Sequence, residues 1–305
     1  MTRPTTSASP SSLNPWLIGA SFVVIFAGVL GWSYWPTLLE LQRQWTVEPD
    51  YSHGFLVAPI AMAFLWMRRD LLPAQQIHPS LWGLVLLFAS LLLRYVGVRL
   101  SLTPVDGYAL IVGIAGVVWL LGGAALLRWS APAILFLLFM VPLPFRFEYM
   151  LSQPLQNVAT SASCYILQCL GQPAFAERTT ILLNEQQLKV EQTCSGLRIF
   201  MSTVALAVAY GIAFRSEWWE KITVLLAAIP IAVIANVSRI VITGLLYQFY
   251  SDEAAKQFSH DIAGVFMIPY AVLLFAIFIF YLNRLIPETQ SVSMSEVMHR
   301  TRTET

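Results

Sequence analysis

The sequence predicts an all-α polytopic membrane protein of about eight transmembrane helices, since apolar runs of roughly bilayer length recur along it. A small hairpin and an interfacial helix are expected on the outer face, just before the sixth span. Composition agrees: 57% of residues are hydrophobic, 11% are charged and mean hydropathy is +0.66, whereas soluble domains carry about 25% charged residues. The net charge of +1 gives no reason to expect nucleic acid as a partner. Three cysteines at irregular spacing suggest neither a disulfide framework nor a zinc site, and no metal or cofactor is expected.

Residues 1–15 are rich in Ser, Thr and Pro with Arg3 as their lone charge, too polar for a signal peptide core. They read as a short disordered cytoplasmic tail, which makes the first apolar segment an uncleaved anchor. Spans are expected at 16–36, 54–67, 81–98, 106–127, 131–147, 194–214, 221–247 and 261–282, the second of them short. The membrane domain then covers 16–284, and the polar stretch 285–305 is a cytoplasmic tail. Arg68-Arg69 and Arg284, tight against span ends, place both termini in the cytoplasm.

One connection differs from the rest. Residues 150–170 mix apolar positions at helical spacing with Ser, Thr, Gln and Asn, as suits a helix at the interface or packed among others. Thr180–Val190 then reads as two short strands around an Asn-Glu-Gln turn. In the predicted topology this hairpin lies outside and leads directly to Cys194.

Cys194 opens the sixth span, and Arg198, four residues on, shares its helical face. A thiol at a helix start feels the positive end of the helix dipole, which favours the thiolate. Arg239 lies in the seventh span, eight residues before Tyr247 and so roughly 12 Å below the outer end. His260 begins the eighth span beside Asp261. All three fall in the outer half of the membrane on consecutive helices. Such a set supports acyl transfer: a thiolate nucleophile, a histidine to move the proton, and a guanidinium for the oxyanion or a substrate carboxylate. An arginine in a membrane helix costs at least about 2.5 kcal/mol on insertion scales and is a functional candidate by default. The plainer readings are a packed cysteine, an interfacial capping histidine and a structural Arg198. Cys164 and Cys169 read as packing residues.

Four ordered motifs then resemble the exosortase family of bacterial membrane transpeptidases: Asp50-Tyr51-Ser52-His53-Gly54, Thr193-Cys194-Ser195-Gly196-Leu197-Arg198, Asn236-Val237-Ser238-Arg239-Ile240-Val241 and His260-Asp261-Ile262-Ala263-Gly264. The family's usual Glu-Ala before the cysteine is Gln192-Thr193 here. The resemblance implies a multi-pass protein of the bacterial inner membrane whose site faces the periplasm. Its partners would be membrane lipids and exported proteins with a C-terminal sorting signal, made of a short motif, a membrane helix and a basic tail. By position, Cys194 would be the nucleophile with Arg239 and His260 as its catalytic partners and Arg198 as a supporting residue. A positive pocket of Arg198 and Arg239 would also attract the acidic part of a sorting signal, and His53, on the outer side, would bind substrate or serve a structural role.

Two competing classes also place arginines in membrane helices. A transporter or flippase for an anionic lipid-linked substrate would give Cys194 and His260 no task, and inverted repeats that would favour it are not visible. A polysaccharide polymerase or ligase would make the cysteine dispensable.

Overall fold

The computed structural model describes residues 15–183, 186–190, 196–214, 217–249 and 263–285. Nine helices and a three-stranded sheet occupy these residues: α1 (Pro15–Ser33), α2 (Trp35–Val47), α3 (Gly54–Met67), α4 (Gly83–Arg99), α5 (Thr103–Phe136), α6 (Phe145–Cys169), β1 (Ala174–Glu177), β2 (Thr180–Leu183), β3 (Gln186–Lys189), α7 (Leu197–Ala213), α8 (Trp218–Phe249) and α9 (Ala263–Leu285).

The expected eight spans are not recovered as eight full-length helices. Among the described residues, three stretches are long and apolar enough to cross a membrane: Pro104–Met140, Trp218–Phe249 and Phe266–Leu285. A fourth exists if α1 and α2, bent by 65° at Tyr34, form one broken span. Helices α3 and α7 are apolar but shorter. The chain is a membrane protein, with long helices of which much of the surface is apolar and uncovered.

The longest stretch is folded back on itself. Gly123 adopts φ 69° and ψ −171° inside α5, a conformation open essentially to glycine alone. A Cβ on Gly107 would lie 2.8 Å from Val141. In a straight helix those residues would be about 50 Å apart. The two arms are therefore antiparallel, with Gly123 at the turn. The second arm runs past α3, where Trp129 Nε1 donates to the Arg68 carbonyl at 2.9 Å and Phe64 meets Phe136 edge to face. It ends in a 3-10 turn at Leu137–Met140, whose last carbonyl accepts from Trp45 Nε1 at 2.8 Å. Helix α4 lies antiparallel to the first arm, with Ser90 opposite Ala109 and Gly113. These contacts gather Gly97, Gly107, Trp45, Met140 and His53 at one end of the bundle, and Arg68, Gly83 and Gly123 at the other.

Helices α7, α8 and α9 form a second bundle. Ile199 packs with Ala232, Ala235, Met267 and Ala271, while Ala207 packs with Val224, Ala228 and Phe275. Hence α8 is antiparallel to both neighbours, and its C-terminal end lies where α7 and α9 begin. At 32 residues α8 is about 48 Å long, well beyond the roughly 30 Å of a hydrocarbon core. One face of its C-terminal third is covered by protein: Val237, Ile240 and Val241 pack with Ala159, Leu167, Ile181, Leu183 and Leu188 of α6 and the sheet. The sheet has the order β1-β2-β3, antiparallel throughout, so a third strand, Ala174–Glu177, joins the expected pair. The polar stretch 150–170 belongs to α6, which buries Ser152, Gln156, Thr160 and Ser163 against these partners.

Candidate functional site

Gly196 caps α7 in the left-handed conformation, φ 72°. A Cβ there would meet the Asn236 amide at 2.7 Å, so glycine is required twice over, by dihedral and by contact. Asn236, Arg239 and Thr243 follow at helical spacing on one face of α8, and their exposures are 2%, 9% and 0%. The start of α7 also packs against the 3-10 turn Pro49–Tyr51. Three of the four motifs are thereby brought to one place by residues far apart in the chain.

The charges there are concentrated and unlike those of an ordinary surface. Arg198 feels the like charge of Arg239 and the opposite charge of Asp50. The Nε of Arg198 is buried and has no hydrogen-bond partner among the described residues. Arg198 is the second residue of α7, at that helix's positive end. The combined field favours an anion or a developing negative charge.

His53 ends the same turn and is 8% exposed. Burial holds its pKa below the ordinary histidine value, and the Arg198 charge acts the same way, against the opposing pull of the Phe139 and Asp50 carbonyls. Neither ring nitrogen reaches a partner of hydrogen-bonding geometry among the described residues. Close by, Tyr51 donates to Glu148 at 3.3 Å and accepts from the Leu143 amide at 3.3 Å. Burial raises the pKa of both Tyr51 and Glu148.

Arg239 stands ten residues before the end of α8, about 15 Å along the helix from Phe249. It is 9% exposed, and both α6 and α7 pack against α8. Of the predicted site residues, Arg198, Arg239 and His53 are brought together. Cys194 and His260 lie outside the described residues. Sequence reasoning passed over Asn236 as a contact for Gly196 and missed the Tyr51–Glu148 bond altogether. An asparagine in an apolar helix was the available signal for the first. No local signal marks the second, whose partners are separated by 97 positions.

Residues 45–278 match the family model described as transmembrane exosortase (Exosortase_EpsH), a stretch that contains Cys194, Arg198, Arg239, His260 and His53 and begins within α2. Comparison with curated proteins and comparison with solved structures each gave no match.

Proposed function

Because the chain belongs to the transmembrane exosortase family, we propose that it is a membrane-embedded cysteine transpeptidase acting on C-terminal sorting signals of exported proteins. The observation that carries this reading is the meeting of Arg198 and Arg239 at the start of α7, where Arg198 follows Cys194 by four residues. Family membership supports a sorting role in general.

Cys194 is the nucleophile. Its thiolate, favoured by two guanidiniums and the helix dipole, attacks the scissile carbonyl, and Arg239 stabilises the oxyanion that forms. When the C–N bond breaks, His260 gives its proton to the leaving amine, and a thioester remains on Cys194. Attack by an acceptor nucleophile, or by water, releases the product and restores the thiol. Arg198 holds the acidic part of the sorting motif, and His53 takes part in substrate binding. The enzyme lies in the bacterial inner membrane with this site facing the periplasm, and the acceptor is a surface or exopolysaccharide-linked group.

The test is co-expression with a reporter bearing a sorting signal, comparing Cys194→Ser, Arg239→Ala and His260→Ala with the original chain at equal membrane abundance. Loss of the cleaved reporter in all three is expected. Normal processing by Cys194→Ser overturns the reading. A reporter whose acidic signal residue is replaced by Lys should be processed poorly. Unchanged processing removes the arginines as readers of that charge.

A further inference from the structure

Asn236 stands in the apolar body of α8, between Ala235 and Val237, and all three are buried. The hydroxyls of Ser202, Thr203 and Thr243 are each spent on a carbonyl of their own helix, at 2.7, 2.6 and 2.9 Å. Asn236 differs. Its side chain is turned to another helix, where its Nδ2 and Cγ lie 2.7 and 3.1 Å from the place a Cβ would take on Gly196. Gly196 is the cap of α7, in the left-handed conformation, and brings no side chain to that helix end. The first N–H groups of α7 therefore draw nothing from their own cap residue. The amide of Asn236 faces polar backbone.

A contact that only filled space here would need no polar atom. Burying an amide is unfavourable unless it is hydrogen-bonded, and asparagine is among the poorer helix formers. Leucine has nearly the same shape and would carry neither cost. The position of the contact says what the amide is for. Gly196 stands midway between Cys194 and Arg198. Asn236 stands three residues before Arg239 on the same face of α8, about 4.5 Å along the axis. One contact thus joins the segment of the nucleophile to the turn that carries the arginine. Two residues of chain span at most about 7 Å, so a shift at Gly196 is passed to Cys194 with little loss.

We propose that Asn236 is a positioning residue, whose amide holds the backbone at Gly196 against α8 and so sets Cys194 and Arg198 at the distance from Arg239 that the reaction needs. The proposal rests on the transpeptidase reading for the roles of those three residues. Held in this way, the thiolate stays in the field of both guanidiniums, and Arg239 stays within reach of the oxyanion. Misplacing a reacting group by about 1 Å can cost about 100-fold in rate, while substrate contacts away from the cysteine are untouched. Loss of the amide is therefore a loss in kcat and not in KM.

Asn236→Leu keeps the shape and removes the polar atoms. In the full chain, reconstituted in lipid vesicles with purified reporter, it should unfold at the midpoint of the original chain. Its kcat should fall about 10- to 100-fold with KM held within about twofold. Alkylation of Cys194 by iodoacetamide at neutral pH, read by mass on its own peptide, should slow several-fold as the thiolate leaves the arginine field. Thr203→Val, which removes a hydroxyl spent within α7, should change none of these. Unchanged kcat in Asn236→Leu, or alkylation as fast as in the original chain, overturns the proposal. Asn236→Ala guards against a leucine that disturbs the fold, because it empties the position instead of refilling it. It should show the same fall in kcat per folded molecule, and the original kcat there overturns the proposal equally. On a Gly196→Ala background the contact is already displaced, so the same change costs no further activity. Should the Cys194→Ser chain cleave the reporter normally, the transpeptidase reading falls while the alkylation rates still decide the role of Asn236.

Discussion

Helix arginines do opposite work in the two bundles. In the first, Arg94 of α4 donates to the Ser33 carbonyl at 2.6 Å and its hydroxyl at 3.0 Å, and its guanidinium lies 4.6 Å from the centre of the Tyr34 ring. Tyr34 in turn bonds Ser90 at 2.6 Å, and Ser90 donates to the Ala109 carbonyl at 2.9 Å. Each polar group closes on the next, and the chain pins α1 to α4 and α5. In the second bundle, Arg198 and Arg239 repel each other with Asp50 as the opposing charge. Like charges brought together in a poorly screened place cost stability. On the reading proposed above, an anionic ligand or transition state is what offsets that cost.

The largest expected effect separates these two environments. Arg239→Ala should reduce reporter processing by about 100-fold or more, the scale of losing an oxyanion donor, with the protein still present in the membrane at normal abundance. Arg94→Ala should do the reverse. Losing its charge-assisted bonds costs about 1.5–3 kcal/mol of stability, read as a lower unfolding midpoint in detergent, while processing per folded molecule is unchanged. If Arg94→Ala removes processing at equal abundance, the division between stapling and reacting arginines is wrong.

Two left-handed glycines sharpen the same contrast at smaller scale. A Cβ on Gly123 would meet the His78 carbonyl at 2.5 Å, and backbone cannot easily give way. Gly123→Ala should therefore destabilise the α5 hairpin by about 1–3 kcal/mol from the dihedral alone, with further loss from the contact, seen in thermal unfolding. At Gly196 the neighbour is the Asn236 side chain. Gly196→Ala should cost about 1–2 kcal/mol in stability but show chiefly as lost processing, and adding Asn236→Ala should recover part of it. Equal recovery from a distant alanine substitution would remove Asn236 as the partner.

How much of this was legible in the sequence follows from where the information lies. Helices α8 and α9 emerged from long apolar runs, and β2 and β3 from the Asn-Glu-Gln turn, because those signals are local. The α5 turn did not. Hydropathy set the break near Arg128, the polar residue, whereas the chain reverses at Gly123 inside the apolar run; there a dihedral decides, and polarity says nothing. Helix α2 went unread because Trp35-Pro36 looks like the end of a span, yet proline is at home in a helix's first turn. Strand β1 is only four residues and gains its place by pairing with β2. At the site, the nearness of Arg198 and Arg239 was legible from helix order and depth, while the Tyr51–Glu148 bond depends on long-range packing that no spacing encodes.

The smallest prediction concerns a buried and a half-buried group on adjoining structure whose shifts have opposite consequences. The pKa of His53 is lowered by burial and by Arg198, with Asp50 nearby through its carbonyl. Between that lowered value and the ordinary value of about 6.5, the unfolded chain binds more protons than the folded one. Stability from this residue therefore rises as pH rises through that window, and acidification erodes it. Glu148 is raised by burial, with Asp50 and Glu48 adding repulsion and the Tyr51 hydroxyl opposing it. Here the folded chain holds its proton longer, so stability falls as pH rises from the ordinary Glu range of about 4.3 through the raised value. Unfolding midpoints in detergent from pH 4 to 8 should separate them. His53→Gln should flatten the acid-side loss. Glu148→Gln should be the more stable chain at neutral pH and lose that advantage at the acid end. A Glu148→Gln chain that is less stable than the original at neutral pH would mean that the Tyr51 bond outweighs the burial of the charge, and the Tyr51–Glu148 pair would then belong with the stapling contacts of the first bundle.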